Sequence, residues 1–137
     1  MKNTFEYGII CSPEDEKKIV KNINSFMEKE YGYRKIRKMQ QESLLSARLP
    51  FVYTHFYSQS LKQGARWYFE LYPNRDIEGK TKFEANPDAG WLLWINKQSY
   101  DSLENITELD QFFDELLAAT SFETILLHSY EEGEERL

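Results

Sequence analysis

Hydrophobic and polar positions along this chain switch between two periods, and the switches mark the elements. Residues 4–10, TFEYGII, place Phe5, Tyr7 and Ile9 on alternate positions, the pattern of a strand. Ile19, Val20, Ile23, Phe26 and Met27 then recur at helical spacing and predict a helix over 13–31. Its start is well signalled. Ser12 is a good N-cap, Pro13 suits the first helical position, and Asp15 stands in capping-box position. Gly32 after Tyr31 supplies the stop.

The middle of the chain turns aromatic and β-branched. Residues 33–41, YRKIRKMQQ, read as a strand or an irregular basic segment, and 42–50 has short helical character that ends at Pro50. FVYTHFYSQ, 51–59, is a strand, and a turn near Gly64 returns the chain into ARWYFELYPN, 65–74. In that second strand Trp67, Phe69 and Leu71 share one face, while Arg66, Tyr68, Glu70 and Tyr72 share the other. Residues 73–90 are rich in Pro, Gly, Asn and Asp. A loop of that length suits a short edge strand at KTKFEA with its lysines outward. GWLLWIN is a nearly continuous apolar run, as expected of a central strand buried on both faces.

TELDQFFDELLAAT forms a second helix, with Thr107 and Asp110 as its capping box and Leu109, Phe112, Phe113, Leu116 and Leu117 at the 3.6 period. SFETILLHSY is the last strand. The polar EEGEERL, 131–137, reads as a frayed acidic C-terminal tail beyond a single domain at 1–130. Two helices cover one face of a sheet of about five strands. The expected fold class is therefore α+β, a mainly antiparallel two-layer sandwich, with a ferredoxin-like elaboration as one arrangement.

Composition narrows this picture only at a few points. Charged residues are 29% and apolar residues 41% of the 137, within ordinary globular usage. Lys, Asn, Ile and Glu usage has a bacterial or phage flavour. The longest apolar runs fall well short of a membrane span, the N-terminus has no apolar signal stretch, and one cysteine allows no internal disulfide. These features point to a cytoplasmic protein with an inert, buried Cys11. The net charge of −6 is unevenly spread. Residues 1–99 carry 16 Lys/Arg against 12 Asp/Glu, while residues 100–137 carry one against 11.

Catalytic and cofactor signatures are missing. No GxGxxG, P-loop, HExxH or GxSxG motif occurs, and two histidines with one cysteine are too few for an ordinary zinc site, so no cofactor and no metal are expected. Two candidate surfaces remain. One is the second sheet face, with Arg66, Tyr68, Glu70 and Tyr72 joined by Tyr53, His55 and Tyr57 of the neighbouring strand. There Glu70 is an acid–base candidate if covered, and an ordinary Arg-paired charge if open. His55 is a general base or a hydrogen-bonded structural histidine. The other surface is the acidic helix, with Glu108, Asp110, Asp114 and Glu115, either a solubilising face or a patch that steers a basic partner.

The basic run RKIRK, 34–38, is explained as well by a charged sheet edge as by phosphate contacts, and nucleic acid is not the expected partner. The expectation is a non-catalytic protein-binding domain of immunity or inhibitor type, with a protein partner or a homodimer. The alternative is a small ligand-binding or enzymatic domain with a pocket on the open sheet face.

Overall fold

A computed structural model describes residues 4–31, 36–40, 50–55, 65–99 and 103–136. The described strands are β1 (Thr4–Ile9), β2 (Arg37–Gln40), β3 (Phe51–His55), β4 (Ala65–Pro73), β5 (Trp91–Ser99) and β6 (Thr124–Tyr130). The helices are α1 (Glu16–Tyr31) and α2 (Leu103–Ala119). All the strands lie in one sheet, in the order β2-β3-β4-β5-β1-β6, and every pairing is antiparallel. Both helices pack on the same face, which makes the expected two-layer α+β sandwich. Without β2 and β3, the series β1-α1-β4-β5-α2-β6 has the split βαβ order of a ferredoxin-like fold. The β2–β3 pair extends that sheet beyond β4.

The main core lies between sheet and helices. Ile19, Ile23 and Met27 of α1 and Leu109, Phe112 and Leu116 of α2 meet Trp67, Phe69, Leu71, Leu93 and Ile95 of the sheet. Trp67 is its centre, with ring centroids 4.6 Å from Phe112 and 5.9 Å from Phe69. β5 is the central strand that its sequence predicts, since Leu92 and Leu93 are both fully buried on opposite faces.

The α1 start follows its signal. Ser12 Oγ accepts from the Glu14 N–H at 3.2 Å, and the Ser12 N–H donates to Asp15 Oδ2 at 2.9 Å. The first turn, Pro13–Asp15, is 3₁₀ before the α-helix proper. α2 departs from expectation. It begins at Leu103, so Thr107 lies inside the helix and does not cap it. Leu103 and Ile106 continue the apolar period toward the N-terminus, which outweighs the local capping pattern.

Residues 74–90 also differ from expectation. KTKFEA forms no edge strand. β4 already has β3 on one side and β5 on the other, so the chain leaving Pro73 meets no open edge. The segment folds instead around the buried Asn74. Asn74 Nδ2 donates to the carbonyls of Asn86 and Ala89 at 3.2 and 2.9 Å, and Oδ1 accepts from the Phe83 N–H at 2.9 Å. Its far end is held against α1's entry, where the Gly90 N–H donates to the Cys11 carbonyl at 3.0 Å. A Cβ on Gly90 would come within 2.4 Å of that oxygen, so only glycine fits the approach.

The helical character expected over 42–50 falls, up to residue 49, outside the described residues, as does the turn expected near Gly64. Lys38 stands on β2, an edge of the sheet, with its Nζ 4.2 Å from the Phe51 ring centroid and 4.0 Å from Glu16 Oε1. Of the basic run, Arg34 and Lys35 lie outside the described residues, and Lys38 is the basic side chain seen at this edge.

Candidate functional site

The second sheet face is closed, and two chain segments close it. Antiparallel register sets one row of side chains across β1, β5 and β4. Glu6 lies opposite Trp94, and Trp94 opposite Glu70. The rows beside it hold Thr4, Asn96 and Tyr68, and Gly8, Leu92 and Tyr72. Two carboxylates therefore flank one indole in the middle of the sheet. Glu6 is fully buried and Glu70 is 5% exposed.

Each carboxylate has a tyrosine. The Tyr72 hydroxyl, itself fully buried, donates to Glu6 Oε1, and the Tyr68 hydroxyl donates to Glu70 Oε2 at 2.5 Å. The covering groups are cations. Arg136 places Nη2 2.7 Å from Glu70 Oε1 and its guanidinium carbon 4.2 Å from the Trp94 centroid and 5.3 Å from that of Tyr72. Lys82, from the 74–90 loop, sets its Nζ 5.7 Å from the Tyr72 ring. Val52, Leu92, Phe83 and Leu127 fill the apolar part of this layer.

Residues 131–136 therefore form a folded arm, contrary to the frayed tail expected from their polarity. A turn reverses the chain at Gly133, whose φ of +83° suits glycine, and the Glu134 N–H donates to the Glu131 carbonyl at 3.0 Å. Glu134 then clasps β6, with Oε2 2.5 Å from His128 Nε2 and Oε1 accepting from the Glu131 N–H at 2.9 Å. Arg136 is thereby carried back over the sheet.

Burial governs the electrostatics. It pushes Glu6 up to about 7, against the opposing pull of the Tyr72 hydrogen bond and the charges of Arg136 and Lys82. Burial raises Tyr72 and Tyr68 as well, and the adjoining Glu6 and Glu70 charges add to it. Burial also works against the Arg136 charge, but Tyr72 and Glu70 outweigh it and hold the guanidinium above its ordinary range. Lys82 is lowered by burial and by Arg136. A carboxyl that titrates near neutrality is equipped to exchange protons. Glu6, however, is shut from solvent until the arm or the loop moves.

Only part of the expected residue set meets here. Tyr68, Glu70 and Tyr72 share the face as read from β4. Tyr53 and His55 do not join them. They pair with Leu71 and Phe69 and so occupy positions of the helix-covered face, while Val52 and Thr54 occupy the second face. The β3–β4 register decides this, because one residue of slip exchanges the faces of a strand. Tyr53 instead lines an open depression of about 400 Å³ with Lys17, Lys21 and Glu28 of α1. For His55, Arg66 and Glu108 only backbone positions are described, and Tyr57 lies outside the described residues.

Three contributors escaped sequence reasoning: Glu6, Trp94 and Arg136. Glu6 carried only a weak signal, a charged residue on the face of a predicted strand opposite Phe5, Tyr7 and Ile9. Arg136 carried another, as the only Lys or Arg in residues 100–137.

The acidic helix is a separate surface. Asp110, Asp114 and Glu115 are all exposed on α2. Asp110 Oδ1 lies 2.7 Å from Lys97 Nζ, and Glu115 Oε1 accepts from Gln111 at 3.2 Å. Asp114 and Asp110 both act on the half-buried Tyr7, which burial and then these charges raise. Across from Tyr7 in the β1–β6 register stands Leu126, 52% exposed. Among the described residues no group of three or more His, Cys, Asp or Glu is placed to hold a metal ion, and no helix is long and apolar enough to cross a membrane. No protein-family model matches the chain, and no curated protein is significantly similar to it.

Proposed function

We propose that this is a protein-binding domain that docks a basic partner on the margin between α2 and the β1–β6 end of the sheet. The carrying observation is the neighbourhood of Leu126. An exposed leucine stands opposite Tyr7, the ring on which the Asp110 and Asp114 charges of α2 act. An apolar anchor with a charged rim is the composition of a protein interface.

The fate of Arg136 supports the same reading. The only cation among residues 100–137 is turned onto Glu70 on the opposite face, so it neutralises none of the carboxylates that face outward from α2. Lys97 offsets Asp110, and the exposed Asp114 and Glu115 leave a field suited to steering a cationic surface. Immunity and inhibitor proteins work in this way, and such a role is the specific form of the proposal.

The test pairs affinity capture with charge and apex variants. Partner association is expected to weaken as salt rises, to fall severalfold in Asp114→Asn, and to fall further in Leu126→Glu. An association indifferent to both salt and Leu126→Glu would refute the proposal.

A further inference from the structure

We propose that the second sheet face is a guanidinium-binding site, and that Arg136 occupies it in place of a guanidinium presented from outside the chain. The site has the parts such a ligand needs. Trp94 and Tyr72 offer ring faces at 4.2 and 5.3 Å from the guanidinium carbon, and Glu70 offers a carboxylate at 2.7 Å. Tyr68 holds Glu70 in place through its hydroxyl at 2.5 Å.

A purely structural ion pair would not need the remaining groups. Glu6, fully buried, keeps Oε2 without a hydrogen-bond partner among the described residues. Trp94 Nε1 and Asn96 Oδ1, on the same strand of the same face, are likewise buried without one. Buried orphan donors and acceptors are rare in a finished core, and here they border the place where one cation already sits. A second carboxylate, across the indole from the first, adds attraction that Arg136 uses only at a distance.

The occupant also comes from outside the sheet. Arg136 is delivered by a short arm, and its ties include the His128–Glu134 clasp, the Glu70 pair and a Tyr72 hydrogen bond. The carboxylates and rings, by contrast, sit on the central strands β1, β4 and β5. A rigid site under a light arm is the arrangement of a self-occupied site that an outside ligand competes for.

The test titrates methylguanidinium chloride, against sodium chloride at equal ionic strength, into wild type and Arg136→Ala, following the Trp94 indole N–H signal by NMR. Saturable binding is expected in Arg136→Ala, at least tenfold weaker binding in wild type with release of the 131–136 amide signals, and loss of binding when Glu70→Gln is added to Arg136→Ala. A second arm uses a capped peptide of residues 131–137 in trans. Tighter binding of the peptide than of methylguanidinium identifies an arginine carried on a polypeptide as the ligand, and the reverse order identifies a small guanidino compound.

If Arg136→Ala does not fold, the His128→Ala/Glu134→Gln variant decides, because it loosens the arm and leaves the site intact. Its affinity for methylguanidinium should exceed that of wild type severalfold. The proposal is overturned by a folded Arg136→Ala that shows no saturation, by equal affinity in wild type and Arg136→Ala, or by a loosened-arm variant that binds no better than wild type.

Discussion

Arg136 lies over Trp94 with its guanidinium carbon 4.2 Å from the ring centroid, while its Nη2 reaches the Glu70 carboxylate at 2.7 Å. One side chain thus closes the second face by two interactions of different kinds. Both are sheltered, since the Arg136 and Glu70 side chains are 12% and 6% exposed. A pair this sheltered is poorly screened, and breaking it strands a buried charge.

The first prediction concerns that pair. Arg136→Met should lower unfolding free energy by about 3 kcal/mol, chiefly through the carboxylate left behind. Combined with Glu70→Gln in a double-mutant cycle, it should show a coupling of about 1–3 kcal/mol in urea unfolding. Strictly additive losses would mean that the two residues act independently.

Glu6 sets a pH dependence of definite sign. Its folded value of about 7 stands above the ordinary 4.5, so the folded state holds the proton more tightly than the unfolded chain does. The stabilising contribution is complete below pH 4.5 and is lost as pH rises through 7. The shift corresponds to about 3 kcal/mol over that window. Glu6→Gln should flatten this segment of the stability profile, measured by urea melts at stepped pH. Tyr72→Phe removes a hydrogen bond that pulls Glu6 down, and so should move the midpoint above that of wild type.

Asn74 should be the most sensitive residue of the 74–90 loop. Asn74→Ala removes the donor shared by the Asn86 and Ala89 carbonyls and the acceptor of the Phe83 N–H. A loss of about 2–4 kcal/mol is expected from these buried, newly unpaired groups. Faster amide exchange at Phe83 and Ala89 would locate the damage; unchanged exchange there would contradict it.

Cys11 should be a slow nucleophile. Burial pushes its thiol up to about 11, with the Asp15 charge adding to the effect. At pH 8 its alkylation by iodoacetamide should run roughly two orders of magnitude slower than that of free cysteine, because the thiolate is scarce. A rate near that of free cysteine would show that the residue is neither covered nor shifted.

What could be read from the sequence divides along the range of the interactions involved. The α1 cap, the central place of β5 and the split of β4 into two faces all follow from neighbours a few positions apart. The side of β3 that bears Tyr53 and His55 depends on its register with β4, and no local pattern states that offset. Arg136 is a sharper case. A stretch of four glutamates, a glycine and an arginine gives no periodic signal, and what orders it is a ring and a carboxylate supplied by β5 and β4. α2 shows two local signals in competition, the Thr107 cap and the apolar spacing from Leu103, and the spacing decided its start.

The place of β1 has a consequence for how the chain must assemble. Its two sheet partners are β5, at residues 91–99, and β6, at residues 124–130, both far along the sequence. During synthesis β1 waits unpaired until residues 91–99 emerge, and its β6 side waits until residues 124–130 follow. Loop-closure entropy then delays its insertion, so this sheet should complete late and from the β2–β5 side inward. Until then Glu6 remains in water and ionised, and its burial marks the moment at which the molecule closes.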